Sequence, residues 1–564
     1  MNRIIECIPN ISEGRDRAKI DAIVAEVEKV KGVMLLDVDP GASTNRTVIT
    51  FAGEPEAVLE AAFLLIRKAA ELIDMSVHKG EHPRQGATDV CPFVPIAGVS
   101  MEECVEIAHQ LGKRVGEELG IAGYYYESAA LIPERRNLAV CRKGEYEALE
   151  KITTPEGKPD FGPSHITDVV RKSGLTTIGA RNFLVAYNIN LNTTSTRRAN
   201  AIAFDIREAG RTLREGDPIT GKPVLDDQGE PVRIPGTLKS VKGIGWFIEE
   251  YGIAQLSLNL TDISITPVHI AFEEACAKAA ERGIRVTGSE LVGLIPLQSM
   301  LDAADYFLNK QERSLGISEE EKIKIAIKSL GLADLAPFHP NEKIIEYVLK
   351  AKMGSRSRLV SMTAHQLANE TASESPAPGG GSVSAYVGAL GASLGVMVAN
   401  LSSHKRGWDE RWKFFSDVAE RGMAIQKELI RLVDEDTHAF NQIMDAFALP
   451  KSNQEEKNYR AEAIESASKY AMEIPLRTAE LALSAMDICW EMVKEGNPNS
   501  ITDAGVGALC IRAAVLGAVM NVKINAGGIK DKVFTSALIE KANNLEILAN
   551  EMEGKIRIKV DEAF

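Results

Sequence analysis

The chain has 564 residues, 45% of them hydrophobic, and a formal net charge of −14, enough for roughly three to four ordinary domains. The acidic balance argues against a general nucleic-acid binder, which needs clustered Lys and Arg, and leaves open a small anionic substrate met by local cations. No continuous apolar run reaches the ~18 residues that span a bilayer, the start MNRIIECIPNISEGRD shows no signal-peptide pattern, and seven scattered cysteines form no C-x-x-C pair, so reduced thiols and a cytoplasmic location are expected.

In chain order, IIECI, a helix near Lys19 to Val30, VMLLDV, TVITF, a helix from Pro55 to Leu72 and VCPFVPI read as β-α-β-β-α-β. A second round starts at Asn182 with FLVAYNIN, a helix near Thr196 to Gly210, strands at GIGWFI and AQLSLNL, a helix from Val268 to Arg282, and IRVTG. Both rounds predict a mixed sheet backed by helices. Between the two halves of the second round, Glu215 to Gly236 is rich in Gly, Pro and Asp and reads as an inserted hairpin or long loop. It holds a P-loop-like spacing from Gly216 to Lys222, but Pro223 replaces the magnesium-ligating hydroxyl and no strand precedes it, so nucleotide binding is rejected. Beyond a linker the composition turns Ala-rich, with helical periods over Ala385–Leu401, Asp409–Phe447, Glu455–Lys494, Ala504–Asn525 and Thr535–Lys555. The expected division is residues 1–181 and 182–330 as two α/β subdomains, 331–357 as linker and 358–564 as a helical bundle.

The stretch HKGEHPRQGATDVCPFVPI places His82 in a loop shaped by Gly80, Pro83 and Gly86, beside Arg84. An imidazole there is a candidate general base, and equally a loop histidine that caps backbone groups. The spacing of His78 and His82 suits two metal ligands on one helical face, but Gly80 and Pro83 oppose a helix and no third ligand is evident. Asp37 and Asp39 end a strand before PGASTNR and are suited either to orienting a substrate amine or to starting a turn. The loop Asp160, Phe161, Gly162, Pro163, Ser164 suits a flat heterocycle, with Phe161 as wall and Asp160 facing ring nitrogens. Gly179 and Arg181 offer close backbone approach and a guanidinium for a carboxylate. In the helical half, Gly380, Gly381 and Ser382 open a helix of small residues, which serves either an anion or close packing. Asp436 shares a helical face with Leu432, Ala439 and Phe440, so it is either an inward carboxyl with a raised pKa or part of a solvated acidic face.

Together these stretches resemble the bifunctional glutamate formiminotransferase and formiminotetrahydrofolate cyclodeaminase family over nearly the whole chain. CIPNISEGRD, DVDPGASTNRTV, HPRQGATDVCPFVPI, PDFGPS, GARNFLVAYNINL, VKGIGW and GSELVGLIP look like its transferase half, and APGGGSVSA, LVDEDTHAFN and NVKIN like its cyclodeaminase half. The insertion from Glu215 to Gly236 and His438 depart from the family pattern. The resemblance implies transfer of the formimino group from N-formiminoglutamate to N5 of tetrahydrofolate, free or polyglutamylated, then closure to 5,10-methenyltetrahydrofolate with release of ammonia. It implies His82 as the transferase base and Asp436 as the cyclodeaminase acid and base. Asp39, Arg84 and Arg181 then serve orientation or charge, and Asp160 to Ser164 falls in the folate-binding segment. It also implies two α/β subdomains facing a folate groove, a dimerising helical half and a ring-like homo-oligomer up to an octamer. Neither step demands a metal, nucleotide or flavin. A folate-binding scaffold with one centre inactive, or a transferase preferring N-formylglutamate, remain as alternatives.

Overall fold

The first apolar run forms one interrupted strand, because Pro9 has no N–H to donate to a ladder. Its halves, β1 (Ile4–Cys7) and β2 (Asn10–Ile11), both lie antiparallel between β4 (Arg46–Gly53) and β5 (Thr88–Ala97). This is a computed structural model that describes residues 3–41, 45–80, 84–216, 221–249, 251–352, 359–375 and 377–564. β3 (Val33–Gly41) extends the sheet beyond β4, while β7 (Thr176–Ala180) joins β5 and β6 (Gly123–Glu127) joins β7, both in parallel. Side chains alternate across each strand. Ile5, Cys7, Phe51, Cys91 and Phe93 face a core with Ile20, Ile23, Val58, Leu65 and Leu111 of the helices Arg17–Glu28, Pro55–Leu72 and Met101–Leu119. Val90 and Pro92 turn the other way, onto a groove.

The second round gives β8 (Val185–Leu191), the helix Thr196–Ile206, β9 (Arg211–Thr212), β10 (Arg233–Ile234), β11 (Val241–Ile248), β12 (Ile253–Leu260), the helix Val268–Ala280 and β13 (Val286–Val292). Its sheet runs β11-β12-β8-β13 and is antiparallel throughout, whereas the mixing expected of both sheets is found in the first. β9 and β10 pair at the base of the Glu215 to Gly236 insertion, and bridges at Arg214 with Pro223 and Leu225 with Pro231 carry the pairing outward.

The chain divides into two units, Met1–Ala303 with Ile327–Gly354, and Ala304–Ala326 with Ser355–Phe564. The second is built on the helices Gly380–Ser403, Trp412–Ala448, Gln454–Glu495, Ile501–Asn525 and Lys532–Asp561, joined by short connections. The first of these packs against the next three through small residues; a Cβ on Gly391 would stand 2.8 Å from the Gly507 carbonyl oxygen. The segment before it docks through Ser314 Oγ, 2.6 Å from Asn400 Oδ1, and the Leu315 N–H, 3.0 Å from Ser416 Oγ. Contrary to the expectation drawn from apolar run lengths, Gly380–Ser403 and Pro498–Gly528 are long and apolar enough by composition to cross a membrane. In the first helix 61% of the apolar window is buried within the unit, as in a core helix.

Candidate functional site

His82, the residue expected from the sequence to act as a base, lies outside the described residues with its neighbours Glu81 and Pro83, and the segments on either side of it are described. On one side His78 Nε2 lies 3.0 Å from the Asn45 carbonyl, and burial holds its pKa below the ordinary imidazole value. Donation from Nε2 to that carbonyl leaves the buried Nδ1 with no hydrogen-bond partner among the described residues. On the other side the Arg84 guanidinium is held by Glu145 at 2.9 Å and by Glu147 at 2.7 and 2.8 Å, and donates to the His78 carbonyl at 3.3 Å. Arg84 thus ties the two ends of the histidine loop to the Glu145–Glu147 segment.

Next in the chain, the Gln85 N–H donates to Asp89 Oδ1 at 3.0 Å, while Arg46 Nη1 and Arg142 Nη2 each donate to Asp89 Oδ2 at 2.5 Å. Asp89 is fully buried, and a buried carboxylate is tolerable only with such partners. Burial lowers the Arg46 pKa, and Asp89 opposes that shift. Arg46 and Arg142 belong to the wall of an 800 Å³ groove shared with Arg181, Lys242, Tyr126 and Glu127. On β1 the Glu6 carboxyl is buried and pushed up to about 7 by desolvation, against the pull of Arg181. Burial also raises Glu127, with Arg181 and Lys242 opposing. The groove therefore offers guanidinium and ammonium groups for carboxylates, with the Glu127 carboxyl, raised by burial, on its wall.

The other residues singled out from the sequence fall in different places. Gly179 packs beneath Tyr126, where a Cβ would meet the ring at 2.5 Å. Asp39 is exposed near the end of edge strand β3. Asp160 accepts from Arg135 Nη1 and, at 2.9 Å, from the Tyr125 N–H, so its carboxylate is committed within the fold. Phe161 is buried with its ring 5.1 Å from that of Tyr125, and Gly162 adopts φ +77° with Ile121 O where a Cβ would be. Asp160, Phe161, Gly162 and Pro163 border a separate cavity of 680 Å³ with Lys113 and Glu117, and Ser164 follows them, exposed.

In the helical unit the expected residues converge. Asp436, half-buried on Trp412–Ala448, accepts a hydrogen bond from Ser382 Oγ at 3.0 Å. Ser382 is buried in the first turn of Gly380–Ser403 and also lies 3.3 Å from Thr437 Oγ1. Gly381 brings its backbone against the carboxylate, and Gly380 faces Asn521 Nδ2. Burial raises the Asp436 pKa above the ordinary carboxylate value while the Ser382 hydrogen bonds oppose the rise, the setting in which a carboxyl can serve as a proton donor or acceptor. His438 is exposed and bonded to Gln442 at 2.9 Å.

Asp89, Arg46 and Arg142 escaped the reading of the sequence, although an aspartate inside the apolar strand TDVCPFVPI signals a buried partner. Models of the formiminotransferase domain N-terminal subdomain, the formiminotransferase domain and formiminotransferase-cyclodeaminase match residues 4–181, 186–350 and 363–544. A formimidoyltransferase-cyclodeaminase of Gallus gallus is 44% identical over 97% of this chain and 96% of its own. A glutamate formimidoyltransferase of Streptococcus pyogenes serotype M1 is 41% identical over 55% of this chain and 95% of its own. A methenyltetrahydrofolate cyclohydrolase of Methylorubrum extorquens is 34% identical over 33% of this chain and 89% of its own.

Proposed function

We propose, from the premise that this chain belongs to the formiminotransferase-cyclodeaminase family, that its two units carry out successive steps on one folate. The protein is a bifunctional glutamate formimidoyltransferase and formimidoyltetrahydrofolate cyclodeaminase of one-carbon metabolism. In the first step N5 of tetrahydrofolate attacks the amidine carbon of N-formiminoglutamate. His82 takes the N5 proton, and the bond from that carbon to the glutamate nitrogen breaks as the nitrogen is protonated. Positioned proton transfer of this kind contributes ~10²- to 10⁴-fold in rate. Arg181, Arg142 and Lys242 meet the substrate carboxylates in the groove. Asp89 acts through the two arginines and Gln85 that it holds, Arg84 by tying down the histidine loop, and Asp39 by orienting the substrate amine.

In the second step N10 attacks the same carbon, and ammonia leaves with formation of 5,10-methenyltetrahydrofolate. Asp436 takes the N10 proton and returns it to the departing amine, with Ser382, Gly380 and Gly381 fixing the carboxyl against the helix start. The single observation that carries this reading is the Asp436 carboxyl itself, raised by burial yet anchored by Ser382. Phe161, Gly162, Pro163 and Ser164 supply a wall for bound folate, with Asp160 shaping their loop through Arg135 and Tyr125. Exposed apolar side chains on Ile501–Asn525, Met520 at 67% and Ile524 at 75%, support a homo-oligomer, and seven free cysteines support a reducing, cytoplasmic setting.

Separable variants test the assignment. His82→Ala abolishes formimino transfer and spares cyclisation of supplied 5-formiminotetrahydrofolate, and Asp436→Asn does the reverse. Either variant retaining its own activity refutes that residue's role, and tight folate binding without turnover selects the scaffold instead.

A further inference from the structure

Five arginines converge on a further cavity, of 470 Å³, whose lining shares no residue with the sites described above. Arg197 comes from the first turn of the helix Thr196–Ile206 and Arg207 from just past its end; Arg211 and Arg214 lie just before the insertion and Arg233 on its returning arm. Among the described residues no carboxylate lines the cavity. The nearby Asp205 is engaged by Arg211 and by Arg282.

Two of these guanidiniums, Arg207 and Arg214, are oriented by carbonyls without being neutralised. Arg207 donates to the carbonyls of Gly210 at 3.0 Å and Gly243 at 3.2 Å and lies 3.9 Å over the Phe204 ring; Arg214 donates to Gly221 O at 2.8 Å. Carbonyls fix the fork of a guanidinium but leave its charge. Arg197 and Arg233 are exposed and form no ion pair among the described residues. Burial lowers the Arg207 pKa and the neighbouring Arg233 lowers it further, so two like charges sit together unrelieved. In a chain of net charge −14 such a cluster runs against the mean field.

We propose that this cavity binds a compact polyanion carrying two or more phosphate or carboxylate groups. Its volume suits a small molecule rather than a macromolecular surface, and preset guanidinium forks match the oxygens of both anions in bidentate fashion. Three of its arginines come from the strand pair at the base of the insertion and its continuation, Arg211 and Arg214 on one side and Arg233 on the other.

Isothermal titration of the full chain with inorganic pyrophosphate, and separately with citrate, tests this. One site saturates, and the anion that binds more tightly identifies the phosphate or the carboxylate source. The double variant Arg197→Ala, Arg233→Ala weakens that binding by about tenfold or more, while its thermal midpoint and both enzymatic activities stay unchanged. The proposal is overturned if neither anion binds, or if the double variant binds as the unaltered chain does, which assigns the binding to the groove at Arg46 and Arg142 or to non-specific charge.

Discussion

Gly381 and Asp436 approach so closely that no side chain fits between them: a Cβ on Gly381 would lie 2.1 Å from Asp436 Oδ1. Gly381→Ala must therefore displace the carboxyl. Cyclodeaminase turnover falls by ~10²-fold or more, while formimino transfer is unaffected. Steady-state rates of both reactions on one preparation check this, and an unimpaired cyclisation rate removes Asp436 from the chemistry.

Ser382 donates to Asp436 and so favours its charged form. In Ser382→Ala the carboxyl pKa rises further, and the limb of the cyclisation pH profile that reports Asp436 moves to higher pH. A profile that loses amplitude without moving assigns Ser382 to substrate contact.

Glu6 is raised from 4.5 to about 7 by burial. Its folded-state pKa exceeds the unfolded one, so the folded state binds the proton more tightly; the stability this contributes is present in full below about 4.5 and is lost as pH rises through about 7. Glu6→Gln keeps the neutral shape and removes this slope, with a gain of up to ~3 kcal/mol above the folded pKa. Denaturant titrations at acid and alkaline pH measure it, and an identical slope in both proteins contradicts the buried placement.

Asp89→Asn leaves Arg46 and Arg142 facing each other without a negative charge and weakens the hold on Gln85. Breaking a buried pair of this kind costs about 3–5 kcal/mol. A lower thermal midpoint and a raised KM for formiminoglutamate are expected, with cyclisation of supplied intermediate intact. A change confined to the thermal midpoint makes Asp89 purely structural.

The helical unit was legible because a 3.6-residue apolar period survives over many turns, as in Trp412–Ala448. The same period placed Asp436 beside Leu432 and Ala439, and both of those neighbours are buried. The helix Met101–Leu119 was passed over although Ser100 and Glu103 announce it as a capping box. β6 was missed because Tyr124, Tyr125 and Tyr126 are all buried, so the strand does not alternate. The Asp89 cluster was illegible for another reason: its arginines lie 43 and 53 residues away, one on β4 of the same sheet and one at the end of the short helix Leu138–Cys141, and only the tertiary fold brings them together. Asp160 looked free to meet a ligand because its partner Arg135, 25 residues distant, carries no local signal.

The account stands most directly on one coupled assay of the purified chain with formiminoglutamate and tetrahydrofolate, following methenyl absorbance and free ammonia together. It predicts that both appear in equal amounts after a lag in which the formimino intermediate builds, that His82→Ala yields neither, and that Asp436→Asn halts at the intermediate. Methenyl product from Asp436→Asn at the unaltered rate, or folate consumption without ammonia in the unaltered protein, contradicts it.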